Sequence, residues 1–193
     1  QGVLADQTSA LAPCTVEQTY VAPVTITTCA IDASRAAHLA WTNGAANYDG
    51  ITLLVDGAAA AVSPLAGTAT SCDIAGLVPG NHTFSLQPFI GAYKATAALC
   101  SATAPLPPPT GFTCTVGSSS LFVSLAWTNG WTYETVVILR NGTLLQTLAG
   151  SPASYTDTLP APGAYTYAVY GTLGVQQSTS AACAVEATYV APV

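Results

Sequence analysis

A six-residue string that occurs twice constrains this chain more than any other feature. Leu39-Ala-Trp-Thr-Asn-Gly44 returns unchanged as Leu125-Ala-Trp-Thr-Asn-Gly130. Around it the flanking landmarks also recur in order. Tyr48 matches Tyr133, Asp56-Gly57 matches Asn141-Gly142, and Pro79-Gly80 matches Pro162-Gly163. Cys29 matches Cys114, and Cys100 matches Cys183. Self-similarity at a nearly fixed period marks repeated structural units. The chain therefore divides into an N-terminal segment 1–24, a first unit 25–101, a Pro-rich linker 102–108, a second unit 109–184 and a C-terminal linker 185–193.

Each unit reads as short strands broken by turns. In the second, Leu121, Val123 and Leu125 alternate with Phe122, Ser124 and Ala126. Val136 to Leu139 is an apolar run, Asn141-Gly142 is a hairpin turn, and Leu144 to Leu148 returns. Tyr165, Tyr167 and Val169 alternate along a later strand. With no helical period anywhere, the pattern predicts an all-β chain of two tandem antiparallel sandwiches.

A third, partial copy precedes them. Cys14-Thr-Val-Glu-Gln-Thr-Tyr-Val-Ala-Pro-Val24 matches Cys183-Ala-Val-Glu-Ala-Thr-Tyr-Val-Ala-Pro-Val193. Residues 1–14 thus have the pattern of the last strand of a partial repeat. Both units already carry their own last strand, so this one is a spare. An unpaired strand seeks a partner for its backbone. The expected solution is addition to another copy, head to tail, which generates a fibre; the alternative is that residues 1–24 are a linker stub of a longer chain, with Cys14 separated from its true partner.

The second unit resembles the fibronectin type III domains of secreted bacterial surface proteins. The match runs through Pro109-Thr-Gly-Phe-Thr-Cys114, Leu125 to Gly130, Leu139-Arg-Asn-Gly142, Ser154-Tyr-Thr-Asp157 and Pro162-Gly-Ala-Tyr-Thr-Tyr167. The first unit matches more loosely, with Cys72 in the place of Tyr155 and His82 in the place of Tyr165. The resemblance implies immunoglobulin-like sandwiches in which the Cys of the first strand faces the Cys of the last. It thereby implies Cys29–Cys100 and Cys114–Cys183 bridges. Cys14 and Cys72 remain, and a bridge between them, within one chain or between neighbours, would lock the spare strand in place.

Composition narrows the function. Only 6% of residues are charged, against about 25% in an ordinary soluble domain. With three basic residues and a net charge of −6, the chain lacks the clustered cations that phosphate backbones require, so nucleic acid is not an expected partner. No apolar run approaches the roughly 20 residues of a membrane span. The chain begins at Gln1 and contains no Met, as expected of a processed product or a piece of a longer precursor. Widely spaced cysteines without a C-x-x-C pair point to disulfides and an extracellular or cell-surface location.

No constellation for catalysis emerges, so the expectation is a non-enzyme without cofactor or metal. The two histidines, His38 and His82, have no G-x-S-x-G elbow to serve. Asp49 and Glu134 occupy equivalent positions, which points to a shared turn role. Trp41 and Trp127 occupy equivalent positions on the second strand, and the resemblance implies that both are core residues. Trp131 follows the Asn-Gly turn with Tyr133 nearby, a possible surface contact with a sugar or a neighbouring subunit, or a ring folded onto its own sandwich. Asn81-His-Thr and Asn141-Gly-Thr are glycosylation sequons in turns, with Asn141 favoured because a hairpin tip leaves room. The resulting expectation is a structural subunit of an extracellular filament, stalk or surface assembly whose partners are other copies of itself. Alternatives are an adhesion or carbohydrate-binding module and an accessory fragment of a secreted enzyme.

Overall fold

The computed structural model describes residues 20–117 and 121–188. All regular structure in it is β. Domain 1 contains β1 (Thr25–Ile31), β2 (Ala37–Thr42), β3 (Gly50–Val55), β4 (Ala58–Ala59), β5 (Leu65–Ala66), β6 (Ser71–Ile74), β7 (Gly80–Ile90), β8 (Tyr93–Lys94) and β9 (Ala98–Ala104). Domain 2 contains β10 (Thr110–Val116), β11 (Phe122–Thr128), β12 (Thr135–Arg140), β13 (Thr143–Ala149), β14 (Ser154–Thr158), β15 (Gly163–Leu173), β16 (Gln176–Gln177) and β17 (Ala181–Ala187).

The two domains share one topology. In domain 1 a sheet ordered β1-β2-β6 faces a sheet in which β3 and β9 flank β7. In domain 2 β10-β11-β14 faces a sheet in which β12 and β17 flank β15. Period-2 alternation explains why the faces pack. Along β11, Val123, Leu125 and Trp127 are buried while Phe122, Ser124, Ala126 and Thr128 are exposed. Along β15, Tyr165, Tyr167 and Val169 turn to the same core. Trp41 and Trp127 are both buried, and Phe112 stands edge-on to Trp127 at 6.0 Å. Burying a side chain of this size contributes about 3 kcal/mol.

Disulfides close each sandwich between its first and last strands. Cys29 on β1 is bonded to Cys100 on β9, and Cys114 on β10 to Cys183 on β17. The sequence separations are 71 and 69, and in the chain-entropy model a loop of that size contributes about 4 kcal/mol. Each bridge joins the two sheets where hydrogen bonds do not.

Three boundaries differ from the sequence-based division. The last strands run on to Ala104 and Ala187, which pair with Gly80 and Gly163. Both alanines are buried, so residues 102–104 and 185–187 belong to their domains and not to the linkers. Val21 and Val24 are buried in the core of domain 1, so the segment just before Thr25 belongs to that domain too. The spare strand at residues 1–14, with Cys14, lies outside the described residues, as do residues 189–193.

Candidate functional site

The duplicated string turns out to be a clamp for the incoming chain. In domain 2 the Trp127 indole N–H donates to Asn129 Oδ1 at 2.9 Å, and the Asn129 amide donates onward to the Ser151 carbonyl at 2.7 Å. This fixes the loop after β11. The Gly130 N–H then donates to the Tyr133 hydroxyl at 3.1 Å, and that hydroxyl donates to the Pro107 carbonyl at 2.7 Å. Gly130 leaves room for the linker to come this close, because a Cβ there would collide with the Pro108 carbonyl.

Domain 1 repeats the device. Trp41 Nε1 donates to Asn43 Oδ1 at 3.0 Å, and the Gly44 and Ala45 N–H groups donate to the Tyr48 hydroxyl. Tyr48 donates to the Ala22 carbonyl at 2.7 Å. A Cβ on Gly44 would strike the Pro23 carbonyl. Tyr20–Val24 before domain 1 and Pro105–Pro109 before domain 2 are therefore held the same way, with Val21 and Leu106 buried at matching positions.

Tyr133 is consequently not a surface residue. It is 3% exposed, because its ring must lie inward for its hydroxyl to reach the linker. Burial raises its pKa despite the N–H groups it accepts from. Trp131 sits beside it in the joint between the domains, with the Arg35 guanidinium 5.0 Å from the ring centroid. Such a stack is worth about 0.5–1 kcal/mol at an exposed site.

Arg35 is carefully presented. It sits in the left-handed region (φ 64°) in the turn between β1 and β2. Its N–H donates to the Asp32 carbonyl, and its Nε to the Leu77 carbonyl at 2.8 Å. A second contact crosses the joint: the Gln176 amide donates to the Ala104 carbonyl at 2.9 Å. Asp32 also accepts from Ser34, from the Ala36 N–H and from His38, and these bonds hold its carboxyl well below the usual carboxylate range.

The titratable groups serve turns and strand ends. His38 lies between two carboxylates, Asp73 at 2.9 Å and Asp32 at 3.2 Å. The hydrogen bond to Asp73, then that to Asp32, raises its pKa. His82 is buried between the Asp56 carboxylate at 2.7 Å and the Val78 carbonyl at 2.9 Å. Burial alone would lower its pKa, but the Val78 and Asp56 bonds outweigh that and leave it raised. Both rings face only acceptors, so both are built to be imidazolium, and neither offers a free base beside a nucleophile.

Asp49 and Glu134 have the same turn role. Asp49 Oδ2 accepts from the Gly91 N–H at 2.6 Å, and Glu134 Oε2 from the Gly174 N–H at 3.0 Å. Asp157 is buried and takes Arg140 at 2.8 Å and the Tyr167 hydroxyl at 2.7 Å. Burial, then this bond, pushes the Tyr167 pKa well up. Among the described residues no group of three or more His, Cys, Asp or Glu is arranged to hold a metal ion.

The remaining marked residues are spread out. Cys72 is the free cysteine among the described residues, half-buried on β6 opposite Leu39. Burial, then the charge of Asp73, raises its pKa and keeps it a thiol at neutral pH. Asn141 has positive φ at an exposed hairpin tip, and its Oδ1 accepts from Thr166 N–H and Oγ1. Asp56 does the same for Thr83 in domain 1. Asn141 and Gly142 thus have a structural reason of their own in the hairpin turn. Asn81 is exposed at the start of β7, where Thr103 donates to it.

No protein-family model matches the chain, and no curated protein matches it in sequence. Solved structures do. A two-domain fibronectin type III segment of chicken tenascin superposes with a TM-score of 0.67 at 16% identity, covering 84% of this chain and 97% of that one. The chain carries two fibronectin type III folds in tandem. The chicken interferon gamma receptor alpha chain gives 0.50 at 11% identity, covering 86% of this chain and 97% of that one. At such identities the likeness speaks for the fibronectin type III fold alone. Among the described residues no helix is long and apolar enough to cross a membrane, and two disulfides are compatible with an extracellular setting.

Proposed function

We propose that this chain is a non-enzymatic structural subunit of an extracellular filament, stalk or surface assembly, joined head to tail through its terminal strand segments. The observation that carries the reading is the clamp. Tyr20–Val24 is bound to domain 1 in the manner in which Pro105–Pro109 is bound between the two domains. The same five residues recur as Tyr189–Val193. The segment that domain 1 holds in the manner of the inter-domain linker thus recurs in sequence after domain 2. The low charge supports the reading, since copies with few charges repel one another little.

A sugar-binding reading has less support. The aromatic ring that would serve it, Trp131, is half-buried and has the Arg35 guanidinium over one face. The Cys14–Cys72 bridge remains part of the proposal, because Cys72 is unbonded on an edge strand.

Negative-stain electron microscopy of the full chain and of a chain lacking residues 1–14 tests this reading. The full chain is expected to form filaments, and the shortened one to lose them. Filaments of unchanged form after the deletion would rule out a role for the terminal strand.

A further inference from the structure

The joint between domains 1 and 2 has a template-like quality. On the side of domain 2 it consists of the clamped linker, Trp131 and Gln176. On the side of domain 1 it consists of Arg35 and the carbonyl of Ala104 at the end of the last strand.

The repeat assigns a counterpart to each part. Linker residues 105–109 correspond to 20–24, Trp131 to Ala45, and Gln176 to Tyr93 on the matching hairpin. Tyr20 and Tyr93 at that pole of domain 1 are 77% and 54% exposed. Tyr93 is held by its pairing with Ile90, so its presentation costs little conformational entropy. At the far pole of domain 2, Ala187 stands where Ala104 stands, paired with a glycine at the end of the last strand.

We infer that the pole of domain 1 carrying Tyr20 and Tyr93 is a docking face for a second copy of this chain, which it meets at the Ala187 pole of domain 2. In this joint the Tyr93 hydroxyl takes the place of the Gln176 amide and donates to the Ala187 carbonyl. The partner is a copy of the chain because the contact continues the interface that already joins its own domains. In sequence, residues 14–24 and 183–193 differ only at Thr15/Ala184 and Gln18/Ala187. Ala45 replaces Trp131 here, so the new joint lacks the cation–π stack and rests on the two tyrosines. The inference rests on the head-to-tail reading and names its contact.

The test uses the full chain with p-benzoylphenylalanine at position 93, mixed from isotopically light and heavy preparations so that cross-links between copies are distinguishable by mass. Irradiation of assembled material is expected to join position 93 of one copy to residues 160–163 or 187–188 of another. Tyr93→Glu is expected to weaken assembly by about tenfold, through a lost hydrogen bond and a desolvated carboxylate. Tyr93→Gln removes the ring but restores the donor of the internal joint, and is expected to weaken assembly clearly less than Tyr93→Glu. Thermal unfolding of domain 1 should be the same in all three. Unchanged assembly of Tyr93→Glu, or cross-links that map elsewhere, would overturn this contact while leaving head-to-tail assembly standing. A wild-type chain that never associates would overturn both.

Discussion

Tyr133 donates its hydroxyl proton to the carbonyl of Pro107, 2.7 Å away and 26 residues earlier in the chain. Tyr48 has the same relation to Ala22. One side chain thereby anchors the linker to the domain that follows it. Tyr133→Phe keeps the ring and removes that bond. It is expected to cost domain 2 about 1–2 kcal/mol and to speed amide exchange at Leu106. Hydrogen exchange with mass spectrometry reads both. Unaltered protection at Leu106 would show that the linker is held by packing alone.

The joint itself is a separate matter from the stability of either domain. Trp131→Ala removes the platform under Arg35, and small-angle scattering of the full chain is expected to report a wider spread of inter-domain angles. Arg35→Ala should act likewise, and should also cost domain 1 about 1–2 kcal/mol through the lost bond to the Leu77 carbonyl. Identical scattering for all three chains would mean that the stack does not restrict the joint.

Asp157 is the buried charge on which domain 2 depends. Its replacement by Ala leaves Arg140 and the Tyr167 hydroxyl without their shared acceptor. The expected loss is about 2–3 kcal/mol, read from the denaturation midpoint of domain 2. The exposed Asp73→Ala should cost far less.

Both histidines lie in domain 1, and both are held above their ordinary pKa. Their contribution to stability is therefore complete below about pH 6.5 and fades as the pH rises through the folded values. Asp32 and Asp56 are held below the carboxylate range, so their contribution is present above about pH 4 and is lost as the pH falls through the folded values. Between pH 5.5 and 8.5 domain 1 is expected to loosen while domain 2, with no histidine, does not. Exchange rates in β2 and β7 compared with β11 and β15, corrected for intrinsic chemistry, check this. His82→Gln should remove part of the difference.

The fold was largely legible because its signals are local. The alternation through Val123, Leu125 and Trp127 and the Asn141-Gly142 turn each speak for a few residues at a time. The roles of Asp49 and Glu134 were legible from their equivalence. The clamp was not, because Tyr133 and Pro107 meet only once the sandwich has formed. Trp131 was ambiguous for the same reason: its partner Arg35 lies in the other domain. The true ends of β9 and β17 were missed because they finish in alanines, which carry little periodic signal beside the segments that follow.

Head-to-tail association tests the proposal most directly, and sedimentation velocity of the intact chain over a wide concentration range measures it. A non-closing contact should give a weight-average sedimentation coefficient that keeps rising with concentration. A single value, that of the 19.4 kDa monomer at every concentration, would overturn the assembly reading.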